Sequence, residues 1–253
     1  MSVLPVSVRL AVWATAAFHG HLELDEAIAR SHPDLDHYTG DLSRLDLWRD
    51  LGESAVLAAL PRPGDLTGMP RATVDVSGAA AAVGECVYVA GMGGLLVPTL
   101  SSFGPDGDVG TAVEWTAYDS EPVARHVLES ITLGDLERDL TRATHESATA
   151  LEEVEGRPWS GSPRHDAERR LGEDRIGLPS LLAPRAVRLI VMAARVAVIA
   201  DEGLRLAATG PALDLHASTR REAGLRVLQS AADAAMAGAT NVAVMQVAGW
   251  RPA

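Results

Sequence analysis

The chain has 253 residues, 22 basic and 34 acidic, giving a net charge of −12 with histidine neutral, and every basic residue is arginine. Without lysine there is no Walker-type phosphate loop, no protein-kinase strand lysine and no Schiff-base or pyridoxal anchor. With aromatic residues at 4%, this acidic chain also lacks the basic surface and stacking rings that nucleic-acid binding requires, so no nucleic-acid partner is expected.

In chain order, the apolar run Val8–Phe18 predicts a first helix. A single leading arginine, Arg9, and the charged continuation Leu22–Glu26 argue against a secretory leader and for a cytoplasmic protein. Leu24–Ser31 predicts a second helix, stopped at His32-Pro33 because proline forces its predecessor out of the helical region. A third helix is expected over Leu42–Leu51, with Asp41 as N-cap and an apolar face of Leu42, Leu45 and Trp48.

This first stretch holds four of the eight histidines: His19 and His21, then His32 and His37, with Asp34 and Asp36 between the latter pair. Imidazoles one residue apart share a side only in extended or loop backbone. With Asp34, Asp36 or His37 they could hold a divalent transition metal, zinc, manganese or iron, through mixed nitrogen and oxygen ligands. The His19-Gly20-His21 pair resembles that of metal-dependent hydrolases of the amidohydrolase kind. That resemblance implies metal-assisted hydrolysis, and the candidate metal ligands read from the residues are His19, His21, His32, Asp34 and His37. It covers three residues, and that family's strand–helix alternation and bridging lysine are both missing here.

Four strand-like runs follow: Ala55–Leu60, Glu85–Ala90, Leu95–Ser101 and Thr111–Tyr118, separated by proline- and glycine-rich breakers. Together they predict a small, mainly antiparallel sheet, with a helical turn at Ala79–Val83. Gly91-Met92-Gly93-Gly94 lacks the third glycine of a dinucleotide fingerprint, because position 96 is Leu, and so reads as a hairpin or bulge. Cys86 is the one cysteine. It rules out an internal disulfide and any cysteine-based zinc site, and its apolar setting reads as a buried structural thiol.

From Leu133 the three–four spacing of Leu133, Leu136, Leu140, Ala143, Ser147, Leu151 and Val154 predicts a long helix. Its wet face should carry the pairs Asp135–Arg138 and Arg142–Glu146. A proline-, glycine- and arginine-rich break occupies 156–184. A helix over Arg185–Ala208, apolar on nearly all sides, is expected to be the central element of a helical layer. A Thr219/Glu222 capping box should open a helix to about Ala237, and the valine-rich tail Asn241–Val247 is expected to be a closing strand. No run is long and apolar enough to span a membrane.

The charge is divided. Residues 1–130 hold 7 arginines against 18 acids, and residues 131–253 hold 15 against 16. Segment 157–195 alone has 8 arginines against 4 acids. Arg157, Arg164, Arg188 and Arg195, with Arg169 and Arg170, are therefore the candidate site for a small anionic ligand, since a planar guanidinium binds carboxylate or phosphate in two-point fashion. Their alternative role is ion pairing with the acidic first half.

The expected fold is α+β: N-terminal helices, a small mainly antiparallel sheet, and a C-terminal helical layer. An acidic portion 1–130 and a helical portion 131–253 should form one cooperative unit, with a leftover helical face favouring a homodimer. The alanine-rich, lysine-free composition, with Asn241 the sole asparagine, is that of a chain from a GC-rich bacterial genome. The leading functional expectation is a cofactor-free binding or interaction protein, and the alternative is the metal-dependent hydrolase.

Overall fold

The structure is a computed structural model that describes residues 4–105, 108–152, 177–209 and 215–252. Its elements are α1 (Val6–Phe18), α2 (Leu24–Ser31), β1 (His37–Gly40), α3 (Arg44–Asp50), β2 (Leu57–Ala59), α4 (Val74–Val83), β3 (Cys86–Tyr88), β4 (Leu95–Phe103) and β5 (Gly110–Tyr118). They continue with α5 (Arg125–Glu129), α6 (Leu133–Glu152), α7 (Pro184–Thr209) and α8 (Leu215–Val247). The fold is α+β, with helices before and after a central sheet. Among the described residues, no helix is long and apolar enough to cross a membrane.

The sheet runs β1-β5-β4-β3-β2, antiparallel throughout except for the parallel β1–β5 pair. Over β2, β3 and the first half of β4 both of its faces are covered. Val56, Ala58, Leu60, Val87, Val89 and Leu96 pack into one buried cluster with α1, α2, α7 and α8. The alternate residues Leu57, Ala59, Cys86, Tyr88, Leu95 and Val97 pack into a second cluster with Ala80 of α4, Leu128 of α5 and the end of α8. Two buried faces explain why these strands read as continuous apolar runs rather than alternating ones. The expected hairpin forms at Gly91–Gly94, where Gly93 has a φ of 79° and a Cβ would stand 2.2 Å from the Ser120 carbonyl oxygen.

Strand β1 was not anticipated. Its four residues are exposed, and it is pinned at both ends by aspartates. The Thr111 N–H donates to the Asp36 carboxylate and the Ala117 N–H to the Asp41 carboxylate, each at 2.8 Å. Asp41 is therefore not the N-cap of α3; Ser43 precedes that helix without a side-chain cap. Leu42, Leu45 and Trp48 are buried as the spacing predicted. At Gly40, φ is 95° and a Cβ would lie 2.1 Å from the Trp115 carbonyl oxygen, so only glycine lets the chain leave β1 there.

The central helix is α1, not α7. Its residues are buried on nearly every side, including the charged Arg9. On α7, by contrast, Arg188, Met192, Arg195 and Ile199 are all exposed. Helix α4 extends back to Val74 from the single turn expected, because Thr73 caps it by accepting the Val76 N–H. On α6, Asp135 pairs with Arg138 as expected, but Arg142 reaches back to Asp139 at 2.6 Å rather than forward to Glu146.

The largest departure is at the C-terminus. Asn241–Val247 is helix, the last part of α8, and Thr219 lies inside that helix rather than capping it. Valine is a strand former only where a strand is available to pair with; here the run lies within a helix buried on most sides. The amide of Asn241 makes the contact a neighbouring strand would have made. Its Oδ1 accepts from the Ala58 N–H at 2.8 Å, and its Nδ2–H donates to the Ala58 carbonyl at 2.9 Å. This satisfies the open edge of β2 at full burial. Asn241→Leu leaves both backbone groups unpaired, each costing about 1–3 kcal/mol. Urea unfolding should show a loss of about 3 kcal/mol at an unchanged m-value.

Candidate functional site

A cavity of about 170 Å³ opens where α1 begins, β2 ends and β3 starts, closed by α7 and α8. The charged residues in its wall are Arg9, Asp34, Arg62, Glu85, Asp201 and Asp233. Each has a local reason for its position. Glu85 immediately follows Gly84, whose φ of 89° ends α4 and turns the chain into β3. Its Oε2 accepts from both the N–H and the hydroxyl of Ser7, each at 2.8 Å. Since Ser7 lies in the first turn of α1, and no side chain of Pro5 caps that turn, Glu85 serves as a cap from a distant part of the chain.

Arg9 follows half a turn later and is 1% exposed. Its Nη1 donates to Asp34 at 2.5 Å, while its Nε–H has no partner although buried. Arg62 donates from Nε to Asp233 at 2.8 Å, with a longer second contact of 3.4 Å from Nη2. Burial pushes the carboxyls of Glu85 and Asp233 above the usual range, against the opposing hydrogen bonds from Ser7 and Arg62. Beside Glu85, burial drives the Cys86 thiol up to about 12, with the Glu85 charge adding to it. Cys86 is thus the buried, unreactive thiol expected.

The histidines do not converge. Among the described residues, no three His, Cys, Asp or Glu side chains gather as a metal set. His21 is exposed, and His19 donates from Nε2 to the Ser54 carbonyl at 2.8 Å. His37 is exposed and lies against Phe103, ring centroids 5.2 Å apart. His32 is buried with both nitrogens engaged: Nδ1 lies 2.7 Å from the Ile28 carbonyl, and Nε2 lies 3.0 Å from the indole nitrogen of Trp115. An indole can only donate and a carbonyl can only accept, so His32 is neutral with its proton on Nδ1. Its single lone pair points at Trp115 and none remains for a metal. Asp34, the proposed carboxylate ligand, is paired with Arg9.

Of the arginine set, Arg188 and Arg195 lie among the described residues. Arg157, Arg164, Arg169 and Arg170 lie outside the described residues. Arg188 and Arg195 are exposed on α7, away from the cavity wall. Arg185 forks onto Glu137 of α6 at 3.1 and 2.8 Å. Apart from Asp34, the residues of the cavity wall were missed as a site. Their common signal is a lone charge inside an apolar run: Arg9 among the apolar residues of α1, Glu85 before Cys86-Val87, and Asp233 within Ala231–Ala235.

His32 yields a pH test. Burial lowers its folded pKa below 6.5, so the unfolded chain takes up the proton first. Its contribution to stability is full above pH 6.5 and declines as the pH falls from there toward the folded value. Unfolding free energies measured from pH 7.5 down to 5 should fall more steeply for the wild type than for His32→Gln.

Residues 7–128 match the family described as Rv1486c-like protein, N-terminal domain, and residues 134–237 match Rv1486c-like protein, C-terminal domain. No curated protein and no solved structure matches the chain. With both domains matched in order over most of its length, the chain belongs to the Rv1486c-like protein family.

Proposed function

We propose that this is a non-enzymatic binding protein that holds a small polar molecule in the cavity beside Arg9. One observation carries the reading: Arg9, Arg62, Asp34, Glu85, Asp201 and Asp233 gather in the wall of one cavity of about 170 Å³. A concave site with a few convergent polar groups is what fixes the orientation of a small ligand. A volume of about 170 Å³ suits a small organic molecule rather than a single water. This places the ligand beside the wall arginines Arg9 and Arg62 rather than the 157–195 arginines.

The non-catalytic part of the reading is supported by the state of the reactive side chains. The Cys86 thiol is raised to about 12, and the His32 nitrogens are both engaged. We further place the protein in a bacterial cytoplasm as a homo-oligomer without nucleic-acid partners. The net charge of −12 supports the absence of nucleic-acid partners, and the exposed Met192 and Ile199 on α7 support the homo-oligomer.

A thermal-shift screen of amino acids, carboxylic acids, amines and sugars tests the binding reading. A ligand at a hundred times its Kd stabilises by about 2.7 kcal/mol, which raises Tm by about 5–10 °C at this chain length. Leu100→Trp, at a half-exposed position in the cavity wall, should abolish the shift while leaving the unliganded Tm nearly unchanged. A wild type that no compound stabilises, or a shift that survives Leu100→Trp, would sink the reading.

A further inference from the structure

We infer that the outward face of α7 docks onto the α3 face of a second copy of this chain, arginine against aspartate. The inference rests on the homo-oligomer reading above and names its interface. On α7, Ala186, Leu189, Ile190, Ala193, Ala194 and Ala197 are buried against the rest of the fold. On the opposite side, Arg185, Arg188, Met192, Arg195 and Ile199 are all exposed. Their three–four spacing is that of a seam along which one helix receives another. Arg185 is forked onto Glu137, whereas among the described residues Arg188 and Arg195 form no salt bridge or hydrogen bond. The face therefore presents two apolar side chains interleaved with two guanidiniums that have no acid in contact.

The complementary face lies on α3. Leu47 and Leu51, four residues apart and so on one side of that helix, are 42% and 59% exposed. Close by, Met92 is 44% exposed at the Gly91–Gly94 turn, which is tied to the end of α3 by the Met92 N–H donating to Glu53 at 2.6 Å. Residues 46–53 hold three acids, Asp46, Asp50 and Glu53, against Arg49 alone. Asp46 and Asp50 share that arginine at 2.8 and 3.7 Å, so one positive charge answers two acids. Both faces are thus apolar, one with an excess of base and the other with an excess of acid. Along a helix Arg188 and Arg195 stand about 10 Å apart, enough to bracket the span of about 6 Å from Asp46 to Asp50. Pairing two copies through α7 alone would instead crowd their acid-free guanidiniums together, which like-charge repulsion opposes. Nucleic acid or an anionic lipid surface would be repelled by the net charge of −12. Because the contact joins two different patches, it is made twice around a two-fold axis or repeats around a ring.

Sedimentation equilibrium of the full chain at rising concentration tests this. The wild type should associate, and Arg188→Glu/Arg195→Glu should weaken association by about tenfold or more, since like charges then face each other across the contact. Asp46→Arg/Asp50→Arg should weaken it in the same way. Mixed in equal amounts, the two variants should associate with each other as tightly as the wild type does with itself. Each reversed face then meets its reversed counterpart, and each native face a native one. All four positions are exposed, so circular dichroism should show both variants folded. Should the aspartate pair fail to fold, Leu51→Arg takes its place, with rescue by the α7 variant in the same direction. Association that neither reversal weakens, or that mixing fails to restore, overturns the α7–α3 contact and leaves the homo-oligomer reading standing. A wild type that stays monomeric overturns both, and leaves the α7 face to an acidic partner of another kind.

Discussion

The two hydrogen bonds between the Asn241 amide and Ala58 are the constraint on which the rest of this architecture turns. Strand β2 is an edge strand buried on both faces, a position where unpaired backbone groups cannot turn to water. A sixth strand would have solved the problem; a side-chain amide carried by a helix solves it with one residue. The same contact fixes the register of α8 against the sheet. Asp233 lies eight residues before Asn241, about 12 Å along a helix and on the same face. Arg62 lies four residues beyond Ala58, about 13 Å along an extended chain. The match places the Arg62–Asp233 pair where it closes the cavity, so the site inherits its geometry from the clasp.

Charge is distributed on the same logic. Among the described residues, the acidic first half and the arginine-richer second half do not meet as two opposed charged surfaces. The buried pair that crosses between them, Arg62–Asp233, takes its arginine from the acidic half and its acid from the other. Arg9–Asp34 lies wholly within the first half. Buried pairs of this kind return little net stability, because desolvation consumes most of the attraction. What they do provide is exclusivity. Arg9 can be buried only where Asp34 reaches it, which ties the loop after α2 to the first turns of α1.

The parts of the fold that could be read from sequence were those where local pattern and tertiary environment agree. The stop of α2 at His32-Pro33 and the Gly91–Gly94 turn follow from backbone sterics alone. The runs at Ala55–Leu60 and Glu85–Ala90 follow from burial on two faces. Where the environment overrides pattern, reading failed. Asn241–Val247 has strand composition but lies in a helix, because its partner is a side-chain contact eight residues downstream of an aspartate rather than another strand. β1 is polar and exposed, held by Asp36 and Asp41, and polar residues carry no period-two signal. The histidines were grouped by closeness in sequence, yet each is used separately, His32 for Trp115 and His19 for Ser54. Arg9, Glu85 and Asp233 were legible only as charges out of place in apolar runs, a signal that says a partner exists without saying which.

Glu85 joins these threads. It caps α1 through Ser7, begins β3 beside Cys86, and forms part of the cavity wall. The helix it caps is the most enclosed in the molecule, and the positive end of that helix's dipole meets the carboxyl directly. Burial pushes that carboxyl up, and the two Ser7 donors work against it, so the cap and the cavity wall depend on the same group.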